Sequence, residues 1–99
     1  MGKIRKSANG EKCLLRLFPY CEHSGTVVFC HLPTNGSGGM GIKSPDFWGV
    51  YGCRACHDII DGRCKNHNVS AGAIQLAQWR GLFLTQQKLI DKGLLSVRD

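Results

Sequence analysis

Cys53-Arg54-Ala55-Cys56 sets two thiols three residues apart, a spacing at which both reach one metal ion from the same side of a turn. Two more ligands complete a tetrahedron. Cys13 and Cys21 are the natural second pair, with Pro19 between them to bend the chain back. Disulfides are the competing use for six cysteines in 99 residues, and the compartment decides between the two. The N-terminus, Met1-Gly2-Lys3-Ile4-Arg5-Lys6-Ser7, is basic but leads into no apolar run of the signal-peptide kind. No stretch of about 18 apolar residues spans a membrane. The reading is a cytoplasmic chain with no membrane partner, in a reducing compartment where paired cysteines bind metals more often than they form bridges. Cys13, Cys21, Cys53 and Cys56 are therefore expected to hold a structural Zn²⁺. So small a chain buries only a modest core and needs such a staple. His23 is a rival for one position, and Cys30 and Cys64 have no obvious partner. Cys53 to His57 also spells the C-x-x-C-H haem-attachment pattern, which the missing export signal argues against.

Around this framework the chain reads as α+β. Residues 1–11 are polar and basic and are expected to form a flexible arm, leaving 12–99 as one domain. Residues 26–31, Thr-Val-Val-Phe-Cys-His, are β-branched and aromatic, as a strand requires. A glycine-rich loop follows, and Phe47 to Tyr51 reads as a second strand. A short helix is expected from Cys53 to a C-terminal cap at Gly62. A long helix is expected from Ser70, a good N-cap, to about Lys92, with Gly93 beyond its end. The apolar residues of the long helix wrap more than one face, which points to a homodimer through that helix as well as to a core contact. Gly81 inside it reads as a close backbone approach.

His57 and Asp61 are four residues apart on the short helix and so lie on one face, one turn apart. An imidazole and a carboxylate so placed can hold a divalent cation, Mg²⁺ or another, with open positions. The order strand, His31, loop, strand, ligand-bearing helix is that of a ββα-metal core, in which the hairpin folds His31 over the helix. An imidazole there can take a proton from water near neutral pH. Asp46, just before the second strand, can hold its other ring nitrogen. Lys43, Arg54 and Arg63 are candidate phosphate contacts. The net charge of +6, with Lys3, Arg5, Lys6, Lys12 and Arg16 crowded into the first 16 residues, favours a polyanionic partner, DNA above all.

The ordered set Cys13-x7-Cys21, His31, Gly39-Met40-Gly41-x-Lys43-x-Pro45-Asp46 and Cys53-x-x-Cys56-His57-Asp58-x-Ile60-Asp61, with Gly81 and Thr85-Gln86, resembles the HNH (His-Me finger) endonucleases. More narrowly it resembles the small prophage-encoded nucleases of the YbcO-like group. The resemblance covers about residues 10 to 93. It implies an HNH-like nuclease domain with a long C-terminal helix, acting as a metal-dependent hydrolase of DNA phosphodiester bonds in phage DNA processing or recombination. His31 matches the general base, and His57 and Asp61 match the two metal ligands of the helix. The sequence departs from the motif in two places. Cys30 stands where many relatives carry a metal-binding Asp or His, and Asp46 lies two residues too far from His57 for a gapless match to the middle asparagine. The alternative is a non-catalytic, zinc-ribbon-like nucleic-acid binding protein.

Overall fold

The computed structural model describes residues 2–32 and 47–96. The glycine-rich loop and, with it, Lys43 and Asp46 lie outside the described residues. Five elements follow in order: α1 (Lys3–Lys6), β1 (Val28–His31), β2 (Gly49–Gly52), α2 (Arg54–Ile60) and α3 (Ala71–Asp91). The two strands pair antiparallel, with Val28 opposite Gly52 and His31 opposite Gly49. Among the described residues no helix is long and apolar enough to cross a membrane.

The first strand starts two residues later than its β-branched run suggests, because the Thr26 hydroxyl is engaged elsewhere. It donates to the Glu22 carboxylate at 2.7 Å and accepts the Arg54 amide at 3.2 Å, tying the turn before β1 to the start of α2. Both helix ends read from glycines are present. Gly62 and Gly93 have φ of 80° and 74°. Past α3 the Gly93 amide donates to Ile90 O at 3.0 Å and the Leu94 amide to Leu89 O at 2.9 Å, a Schellman ending. Ser70 caps α3 by accepting the Ala73 amide at 3.1 Å.

Alternation divides the sheet into two faces. Val28, Cys30, Val50 and Gly52 point one way; Phe29, His31, Gly49 and Tyr51 point the other. The long helix crosses the first face at Gly81, where an added Cβ would sit 2.6 Å from a Val50 methyl and 3.1 Å from Leu14 O. The close approach expected at this glycine is therefore real. The Tyr51 amide donates to the buried Thr85 hydroxyl at 3.0 Å, and the free edge of β2 accepts the Leu14 amide at 2.7 Å.

The N-terminal segment differs from the expected loose arm. It carries α1, and Ala8 is fully buried. The Ser7 and Tyr51 hydroxyls are 2.6 Å apart. Lys92, just past α3, donates to Ser7 O at 2.9 Å, pairs with Glu11 at 2.6 Å and lies 5.4 Å over the Tyr51 ring. Low apolar content hid this docking, because polar contacts around Tyr51 and Lys92 do the holding.

Two predictions follow from this packing. Gly81→Ala should destabilise the protein by about 1 kcal/mol in urea unfolding. The helix-propensity gain of about 1 kcal/mol is outweighed by overpacking against Val50, which costs roughly 1–3 kcal/mol. Gly72→Ala, with nothing within 4 Å of the new methyl, should instead stabilise by about 0.5 kcal/mol. The second concerns Glu11, whose carboxyl is held below its usual 4.5 first by the Lys92 hydrogen bond. A depressed folded-state pKa contributes stability above the unfolded value and loses it as pH falls through the folded one. Glu11→Gln should therefore cost up to about 1 kcal/mol at pH 7. That difference should vanish in unfolding curves taken below the range in which carboxylates protonate.

Candidate metal centre

Three local turns deliver four thiols to one point. The first begins at Cys13, whose amide donates to His23 O at 2.7 Å. The chain then reverses at Arg16, which takes φ of 52°, and the Leu15 and Arg16 amides turn toward the Cys13 sulfur. Pro19 does lie in a bend: the Tyr20 and Cys21 amides both donate to Leu17 O, at 2.9 and 3.0 Å. The second turn follows Cys21, where His23 at φ 67° aims its amide at the Cys21 sulfur, 3.4 Å away. The third is the start of α2. Cys53 is its N-cap, and its sulfur accepts the Cys56 amide at 3.5 Å and the Glu22 amide at 3.3 Å. The Cys56 sulfur accepts the Leu17 amide at 3.4 Å.

All four sulfurs are buried and lie within 4.8 Å of one another. Tetrahedral zinc with Zn–S of about 2.3 Å sets its sulfurs about 3.8 Å apart, so a small contraction closes the cluster on an ion. The Cys21, Cys53 and Cys56 sulfurs each also accept at least one backbone N–H, the support that anionic thiolate ligands need. The ionisation pattern agrees. The Cys13 thiol is lowered to about 4, first by the hydrogen bond from Cys56, and the Cys56 thiol is raised by that same contact. Burial first, then the Cys13 charge, pushes Cys21 up to about 11. Without a cation only one thiolate is comfortable; a divalent ion removes the mutual repulsion. The donor set and its geometry thus fit a structural metal such as zinc.

His23 is not part of the cluster. Its ring is exposed and lies 5.3 Å from that of Phe18. Cys30 also stands apart. It is fully buried on β1, its thiol lies 3.7 Å from Val28 O and 3.8 Å from Gly52 O, and burial pushes it up to about 12. It is a neutral core residue. Cys64 is half-buried, and its amide donates to Asp58 O at 3.0 Å.

The residues expected to hold a second ion lie on α2 and its C-terminal end and on β1. His57 Nε2 on α2 and Asp61 Oδ2 at its C-cap are 3.2 Å apart and partly exposed, and His57 directly follows Cys56 of the cluster. Arg63 closes over them, 3.5 Å from Asp61 and 3.9 Å from Asp58. Arg54 is exposed at the first turn of α2. His31 shares its strand face with Phe29, whose ring it meets edge-on at 5.0 Å, and lines a small cavity with Gly2, Ile4 and Arg5. Among the described residues, the four cysteines form the single group of three or more metal-binding side chains.

A small α+β chain whose hairpin and first long-range contacts are gathered by a buried four-cysteine cluster has the donor set of a metal-stapled domain. The comparisons place it further. The family model described as "Putative nuclease YbcO" matches residues 2–94. "Putative nuclease YbcO" of Escherichia coli strain K12 is 34% identical over 96 residues, covering 96% of this chain and 98% of that protein. The "Putative nuclease ybcO" of Enterobacteria phage 82 matches equally, at 34% over the same 96 residues. A solved structure, titled as that of a putative bacteriophage protein from Escherichia coli K-12, superposes with a TM-score of 0.73 at 29% identity, over 92% of this chain and 100% of that one. The chain belongs to the YbcO nuclease family.

The cluster predicts one equivalent of zinc per chain in metal analysis of the purified protein. Stripping it with a strong chelator should collapse the far-UV and near-UV circular dichroism together, because the cluster supplies folding free energy. Cys21→Ser should lower the zinc content and the thermal midpoint, whereas Cys30→Ser should leave the zinc content at one. Full zinc in Cys21→Ser would remove that residue from the site.

Proposed function

We propose that the protein is a metal-dependent DNA endonuclease of the HNH type. The observation that carries the reading is the His57–Asp61 pair, one turn apart on a helix whose start is fixed by two of the clustered cysteines. Such a pair, half-exposed on a rigid base, is a chelating edge with room for substrate. A divalent cation held there would polarise the scissile phosphate and stabilise the departing 3′ oxygen. His31 would take the proton from the attacking water, with Asp46 holding its second ring nitrogen. Arg63 pairs with Asp58 and Asp61 at long range and is mostly exposed. A cation held at Asp61 would free the Arg63 guanidinium for the phosphate, with Arg54 and Lys43 as further anchors. A Zn²⁺ held by Cys13, Cys21, Cys53 and Cys56 would keep α2 in place and serve structure, not the chemistry. Family membership supports a nuclease, and its phage relative supports a role in phage DNA processing in the bacterial cytoplasm.

A non-catalytic nucleic-acid binding module is the second reading. What favours it is the net charge of +6, which attracts a polyanion without requiring a second metal site.

Plasmid nicking separates the two. Purified protein with Mg²⁺ or Mn²⁺ should nick supercoiled DNA, and His57→Ala and His31→Ala should each slow nicking at least 100-fold while zinc content and DNA affinity persist. Unchanged nicking in His31→Ala removes the base assignment. Absence of nicking with every divalent ion, alongside intact DNA binding, establishes the binding module.

A further inference from the structure

The long helix α3 carries an apolar stripe that the fold leaves uncovered. Its buried side, Ala77, Gly81, Leu82, Thr85 and Leu89, packs on β2 and the Cys13 turn. On the outer side Leu76 and Phe83 are each 64% exposed and Trp79 is 49% exposed, with Leu84 and Ile90 at 38%. The Trp79 and Phe83 rings lie 6.1 Å apart and tilted, forming one slab. At about 150–250 Å² per large side chain, these residues expose on the order of 500 Å² of apolar surface. That is near the upper end of what a monomer leaves bare, roughly 300–600 Å².

We infer that this stripe pairs with the same stripe of a second copy of the chain, antiparallel, about a twofold axis near Gly81. The stripe runs Gly72, Leu76, Trp79, Phe83, Gln86, Ile90, at helical spacing. It is symmetric in position about residue 81, so reversal sets Trp79 against Phe83 of the second copy and Ile90 against Gly72. Nothing lies within 4 Å of a Cβ built at Gly72, so that position has space for an isoleucine. An isologous contact of this kind needs a self-complementary patch, and a large residue facing a glycine supplies one at each end.

Charge selects this occupant over others. The chain carries +6, yet no Lys or Arg stands on the stripe. The flanking cations of α3 are directed elsewhere: Arg80 donates to Leu15 O at 3.3 Å and Lys88 faces Glu11 at 3.9 Å. DNA or an anionic membrane would find no cation on this face. Two copies of a basic protein, by contrast, meet there without bringing like charges together, and antiparallel helices also oppose their dipoles favourably. The helix is about 31 Å long. A rim of Gln75 and Gln87 around the apolar slab takes the contact toward the roughly 800 Å² per partner of a stable pair.

Sedimentation equilibrium of the full zinc-loaded chain, from about 1 to 200 μM, tests the inference. The mass should rise from 10.9 kDa toward twice that value, with Trp79 fluorescence shifting to the blue over the same concentrations. Phe83→Asp should raise the dimer dissociation constant at least 30-fold, with zinc content unchanged. Leu76→Gln, which keeps helix propensity, should weaken it in the same direction and serves if the aspartate variant fails to fold. A wild-type mass that stays at 10.9 kDa at the highest concentration overturns the proposal. So does a dimer that neither substitution weakens.

Discussion

Four thiols cannot share a buried space unless something removes their charge or supplies its opposite. Cys13, Cys21, Cys53 and Cys56 are held within one van der Waals shell of each other, and the backbone has turned its amides inward to meet sulfur. That arrangement is costly as a set of free thiols and favourable as a ligand set. It also costs backbone strain, since Arg16 and His23 both sit in the left-handed region, which disfavours residues with a Cβ by roughly 1–2 kcal/mol each. A bound divalent ion offsets both terms at once. Nearly every element is positioned from this cluster: the turn from Cys13 pairs with the edge of β2, the segment after Cys21 leads into β1, and Cys53 starts α2.

The other half of the molecule is held differently. Tyr51 gathers the N-terminal segment and the end of α3, through Ser7 on its hydroxyl and Lys92 over its ring. Gly81 lets α3 come down on Val50. A basic segment that reads as solvated is thereby pinned beside β1, bringing Arg5 to the cavity that His31 lines. Positive charge is therefore concentrated near the end of the first strand and not spread along a loose tail.

The cysteine framework was legible because metal ligation imposes a spacing that survives in one dimension. So were the helix ends at Ser70, Gly62 and Gly93, since caps are local. The hairpin was legible to within two residues. The knuckle turns were not, because the positions usually marked by glycine carry Arg16 and His23, whose side chains announce nothing of the sort. The docking of residues 2–11 was hidden for a related reason: its partners, Tyr51 and Lys92, lie 40 and more residues away and act through polar contacts that leave no periodic trace. Cys30 shows the limit of motif reasoning. It stands where many relatives carry a metal ligand, and its surroundings in space, buried beside Gly52, make it packing.

With an ion bound, the Cys53 sulfur would have two jobs, as a ligand and as the acceptor that begins a helix. A seven-residue helix has little tendency to form unaided, because nucleation fixes several residues for the first hydrogen bond. Here the nucleus is the same atom that coordination immobilises. The ribosome delivers Cys13 and Cys21 well before Cys53, so a newly made chain can gather half of the sulfurs early and must then wait for the rest. The surface that displays His57 and Asp61 would come into being only when the last two arrive. If the cluster takes up an ion, maturation of the protein would in this sense be timed by metal capture: a chain short of its ion would be short of a helix too.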